Sequence, residues 1–153
     1  MKNLFWLVCS LFLLISVHTS AQKMDNKKLN KILIEQADSI KGTNGYWEIL
    51  YKDLRLAIVT DEKHNRMRII SPIAKTGELQ YSVLLEALQA NFHSALDVKY
   101  AISDDIIWTV FIHPLKELSE GQITDALKQV YFGSKTFGGS YSSTDLVFPA
   151  NGE

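Results

Sequence analysis

The side chains that could do chemistry are few and scattered. His64, His93 and His113 lie far apart along the chain, and none belongs to a metalloprotease helix motif. No Gly-x-Ser-x-Gly elbow, Walker phosphate loop or dinucleotide Gly motif occurs. Asp61, Glu62 and His64 form the one close cluster of metal-ligand types. They fall between two strand-like runs, where a solvated polar loop is expected in any case. Asp104-Asp105 offers a paired acid and base on paper, but Asp tolerates tight-turn geometry and bonds its own backbone, so a turn explains the pair. His113 precedes Pro114 and reads as a strand-end residue with a backbone partner. Cys9 is the single cysteine and lies in the N-terminal apolar run, which leaves the rest of the chain without disulfides, thiol nucleophiles or cysteine metal sites. No catalytic residue, metal site or cofactor is expected.

The elements that carry these residues begin after a leader. Lys2 is followed by the apolar run Leu4 to Val17, 14 residues long, and then by Thr19-Ser20-Ala21, small residues suited to signal peptidase. Residues 1–21 therefore read as a cleaved signal peptide, giving an exported protein, periplasmic or secreted. A spanning helix needs about 20 apolar residues, so no permanent membrane anchor is expected. Cys9 is preceded by Trp6-Leu7-Val8 rather than small residues, which argues against a lipid-attachment site. With 16 Lys and Arg against 17 Asp and Glu, the formal charge is −1. So even a balance predicts no strong field toward nucleic acid or anionic lipid. The basic run Lys63 to Arg68 reads as a charged strand face that discourages edge-to-edge pairing.

One domain is expected over 22–133. Asp25 caps a helix running to about Lys41, with Leu29, Ile32, Leu33, Ala37 and Ile40 at helical spacing and Gly42 as the stop. Tyr46–Tyr51, Leu56–Thr60 and Arg66–Ser71 form an antiparallel meander that Pro72 ends. A second helix, about Gly77 to Ser94, carries Tyr81, Leu84, Leu85, Leu88 and Phe92 on one stripe with Val83, Ala87 and Ala90 beside it. That apolar face is wide enough for two layers, or for one layer and a partner. Asp97–Ser103 and Ile106–Ile112 form a hairpin across Asp104-Asp105, pairing Ile102 with Ile107, Tyr100 with Thr109 and Val98 with Phe111. Ser119, Gln122 and the Leu118–Ile123 staple then start a last helix with Ala126, Leu127, Val130 and Tyr131 on its stripe, ending at Gly133. Residues 134–153, rich in Gly and Ser, read as a flexible tail. The expected class is α+β: an antiparallel five-stranded sheet with three helices, in the order α-βββ-α-ββ-α.

Ile106–Ile112 is the stretch the rest is built around, and it reads as the central strand, covered on both faces. Ile106, Trp108, Val110 and Ile112 share one face, and Ile107, Thr109 and Phe111 the other. Burying a side chain of this size stabilises by about 1.5–3 kcal/mol, so four of them left in water would forfeit much of a domain's stability. A helix, the tail or a second subunit should cover that face. Trp47 and Trp108 read either as core or as anchors in an interface, where aromatics are enriched.

The order of elements resembles the type III secretion chaperone-like fold of the Tir-chaperone and YbjN-like proteins. The resemblance is carried by Leu84-Leu85 and Asn91-Phe92 in the second helix, the Asp104-Asp105 turn, the apolar strand, and Pro114-Leu115 with Leu118 before the last helix. It is specific over about Gln80 to Phe132. The resemblance implies a small domain that commonly dimerises and binds extended protein segments along apolar surface, without chemistry of its own. Chaperones of that family act in the cytoplasm and are usually acidic, whereas this sequence carries a leader and is nearly neutral. The expected function is thus a non-enzymatic, chaperone-like protein-interaction module with a protein or peptide partner and a homodimer as its form. Trp47, Phe92, Ile106, Trp108, Val110 and Ile112 are the candidate contact residues. The alternatives are a hydrolase or small-ligand-binding protein with an unrecognised site, and a structural envelope component.

Overall fold

The structure is a computed structural model describing residues 23–144. Its elements are α1 (Asn26–Gln36), β1 (Ser39–Thr43), β2 (Tyr46–Tyr51), β3 (Leu54–Asp61), β4 (Arg66–Lys75), a 3-10 turn (Thr76–Glu78), α2 (Tyr81–His93), β5 (Val98–Ser103), β6 (Ile106–His113) and α3 (Glu120–Thr136). The strands form one antiparallel sheet in the order β1-β2-β3-β4-β6-β5. The α+β class and three helices stand among the described residues, but the sheet has six strands rather than five.

The additional strand is β1. Asp25 caps α1 as expected, its carboxylate accepting from the Lys28 N–H at 2.8 Å, but the helix stops at Gln36. Ser39-Ile40-Lys41, read as the helix's last turn, instead pairs with β2. Ile40 lands on the core side either way, so its helical spacing misleads. The hairpin closes through the two-residue loop Asn44-Gly45, with Gly45 at φ +100. A Gly after Asn between apolar runs is a strong hairpin signal. Gly42, at φ +106, lies so close to the returning strand that a Cβ there would meet the Tyr46 carbonyl at 2.3 Å.

Pro72 does not end β4, which runs on to Lys75 through an irregularity between Pro72 and Ala74. Register with β3 stops at Ile70, so this half of β4 relies on β6, and a proline is tolerated where one side of a strand is free or bulged. The β5–β6 register matches the sequence-based one at every pair. Asp104 and Asp105 take φ +52 and +59, the doubly left-handed loop that suits the twist of a hairpin. β6 is an interior strand between β4 and β5, not the middle of the sheet.

All three helices pack on one side of the sheet. The inner row Gly42, Trp47, Ile58, Ile69, Phe111 and Val98 crosses all six strands in register. Leu29 and Leu33 of α1 and Ile123, Leu127 and Val130 of α3 close over it. α3 starts with the expected capping box, Ser119 with Gln122. It continues past Gly133, where the domain was expected to end, to Thr136. Residues up to 144 also pack: Tyr141 and Ser143 are buried, the Tyr141 hydroxyl donating to Glu86 at 2.9 Å and the Ser143 hydroxyl to the Ala95 carbonyl at 2.8 Å. The first part of the expected tail is therefore a strap across α2 and the start of β5. Residues 145–153, and residues 1–21 read as a signal peptide, lie outside the described residues.

Candidate interaction surface

The two faces of β6 differ sharply. Ile107, Thr109 and Phe111 are buried under the helices. Ile106 and Trp108 are half-buried, Val110 is buried between its strand neighbours, and Ile112 is 58% exposed. No described helix covers this second face. It belongs to the sheet's outer surface, whose central row reads Lys41, Glu48, Ala57, Ile70, Val110 and Lys99 in register across all six strands. On one side of that row lie Tyr46, Val59, Arg68 and Ile112; on the other lie Leu50, Arg55, Pro72, Trp108 and Ala101. A hollow of about 340 Å³ opens on it beside Leu50, Arg55 and Pro72. The Trp108 indole N–H donates to the Ser103 carbonyl at 3.2 Å, which holds the ring across β5.

A second apolar surface is helical. α2 buries its small side, Ala87 and Ala90, against Tyr100 and Ile107. Leu84 packs inward with them, whereas Tyr81, Leu85, Leu88 and Phe92 face away and are exposed, Phe92 by 84%. Their spacing of four, three and four residues makes a narrow seam of the kind that pairs helices. The Asn91 side-chain amide occupies the open edge of β5, donating to the Tyr100 carbonyl at 3.1 Å and accepting from the Tyr100 N–H at 2.7 Å. This clamp fixes α2 to the sheet edge and leaves the seam outward.

The six candidate contact residues thus divide. Ile106, Trp108, Val110 and Ile112 lie together on the outer face, and Phe92 belongs to the α2 seam. Trp47 is fully buried, its indole N–H donating to Asn30 of α1 at 2.8 Å, so it is core and not an anchor. Leu50, Ala57, Val59 and Ile70 complete the outer face and were not singled out from sequence. Their signal was a failure of alternation: Ala57-Ile58-Val59 and Ile69-Ile70 stay apolar where a half-solvated strand would switch.

Little side-chain chemistry assembles. Among the described residues, no three His, Cys, Asp or Glu side chains gather as a metal site would require. The His64 ring lies 2.6 Å from the Asp61 carboxylate, and this hydrogen bond holds the carboxyl below its usual range. His113 contacts the Pro114 carbonyl and stacks on Phe111, while His93 meets the ring of Phe92 edge-on. No described helix is long and apolar enough to cross a membrane.

No family model and no curated protein matches the chain. Solved structures do. The type III secretion chaperone SycH of Yersinia pestis, in complex with a stable fragment of YscM2, superposes with a TM-score of 0.57 at 15% identity, over 73% of this chain and 98% of that one. A chain of the ExsC–ExsE complex gives 0.54 at 12% identity, over 74% and 97%. A chain of the HopA1–SchA chaperone–effector complex gives 0.51 at 11%, over 61% and 74%. The chain therefore has the type III secretion chaperone-like fold, as its order of elements suggested. The expected exported location is contradicted by these matches, since the neighbours are type III secretion chaperones and their complexes.

Proposed function

We propose that this chain is a non-enzymatic, chaperone-like interaction module that binds a protein segment on the outer face of its sheet and pairs with a second copy through α2. The observation that carries the reading is the apolar outer face, continuous from Leu50 through Ile70 and Val110 to Ile112, with every described helix on the opposite side. Apolar surface of that extent costs stability unless something covers it, and monomers rarely leave it bare without function. The α2 seam is a separate surface, so one copy can pair with another while its sheet stays free. The neighbouring structures support the reading, since each is a complex of two proteins and one is described as chaperone with effector.

A displayed library of random peptides, selected on the purified full chain, tests it. Selection should enrich apolar segments that compete with one another for a single site. Ile70→Asp, placed in the middle of the face, should abolish that binding and leave the thermal unfolding of the protein within a few degrees of the parent. No enrichment, or enrichment indifferent to Ile70→Asp, refutes the reading.

A further inference from the structure

We infer that the partner segment received by the outer face is an acidic amphipathic helix, selected by Arg55 and Arg68. This rests on the protein-binding reading above and adds the chemistry of the partner. The charge of the face is not that of the chain. Whereas the whole sequence is nearly balanced at −1, the three central rows carry Lys41, Arg55, Arg68 and Lys99 against Glu48. Glu48 is already engaged, accepting from the Tyr46 hydroxyl at 2.8 Å. The Lys99 ammonium is spent on the carbonyls of Asn91 and Leu96. The Arg55 and Arg68 guanidinium groups and the Lys41 ammonium, by contrast, have no hydrogen bond or ion pair among the described residues.

Position sharpens the argument. Arg55 stands at the hollow beside Leu50 and Pro72, and Arg68 lies in register between Val59 and Ile112. Both arginines therefore flank apolar surface, which suits a segment whose apolar stripe is bordered by carboxylates; guanidinium is the group that grips a carboxylate in two-pronged fashion. The conformation follows from the backbone. Strands β2, β3, β4 and β6 are interior to the sheet, and along the row through Ile70 each is paired on both sides, so a chain lying on that part of the face finds no N–H or C=O to bond. A segment that buries itself there must satisfy its own backbone, as a helix does and a single extended strand does not.

The test uses the full chain and two labelled peptides of equal length, each with leucines on one helical face, one bearing glutamates on the other face and one lysines. Fluorescence anisotropy should show the glutamate peptide binding about tenfold tighter, with the advantage shrinking at high salt. The double variant Arg55→Glu with Arg68→Glu should reverse the preference; should it fold poorly, Arg55→Gln with Arg68→Gln should erase it. Equal binding of both peptides overturns the acidic assignment while leaving protein binding intact. A glutamate preference that survives both double variants places the site elsewhere and also overturns it. Affinity that rises as the protein is diluted means that a second copy occupies the face, which refutes a partner helix there. Binding of neither peptide removes the inference together with the reading beneath it.

Discussion

Tyr100 carries its hydroxyl into the contact between the sheet and α3, where it donates to the Gly133 carbonyl at 2.8 Å. Gly133 is what lets the helix come so close: a Cβ there would stand 2.9 Å from the Thr109 methyl. Burial pushes the Tyr100 phenol up to about 12 from an ordinary 10.0, so the folded state favours the neutral form. A folded pKa raised above the unfolded one gives stability that is present in full below about pH 10 and lost as the pH climbs toward 12. Tyr100→Phe should cost about 0.5–1.5 kcal/mol near neutral pH through the lost hydrogen bond. It should also flatten the alkaline fall of the urea midpoint. A variant whose midpoint falls as steeply as the parent's would show that burial of this phenol does not drive the fall.

α2 presents Ala87, Ala90 and Leu84 to the sheet and four large apolar residues outward, unlike an ordinary surface helix, whose outer face is polar. Light scattering of the full chain should show a dimer at micromolar concentration, and Leu88→Glu, in the middle of the seam, a monomer of unchanged helix content. A parent that stays monomeric across concentrations contradicts pairing through α2. At this scale much was legible from sequence. The β5–β6 register followed from a two-residue Asp-Asp loop and strict alternation, and the α3 start from Ser119, Gln122 and Leu118. β1 was not legible, because Ile40 satisfies a helical stripe and a strand face equally well, and only pairing with β2 decides between them. Pro72 misled for a similar reason: its missing N–H matters only where both sides of a strand are paired. The breadth of the α2 apolar face was visible, but which residues turn outward depends on Ala87 and Ala90 allowing close approach to Tyr100.

Taken whole, the molecule is a sheet with its described helices on one side and apolar strands open on the other. Sequence showed that Ile106, Trp108, Val110 and Ile112 share a face and that something must cover it. It did not show that the helices go to Ile107, Thr109 and Phe111 instead, because both faces of β6 are apolar and the choice lies with α1, α2 and α3 acting together. Trp47, read as a possible anchor, went to the core through the same choice, and Trp108 remained at the surface. That placement makes Trp108 a reporter for the outer face. Its fluorescence, followed while a selected apolar peptide is titrated into the full chain, should show a saturable blue shift that disappears in Trp108→Phe. A peptide that binds with the emission unmoved, or a shift that persists in Trp108→Phe, would contradict the outer face as the binding surface.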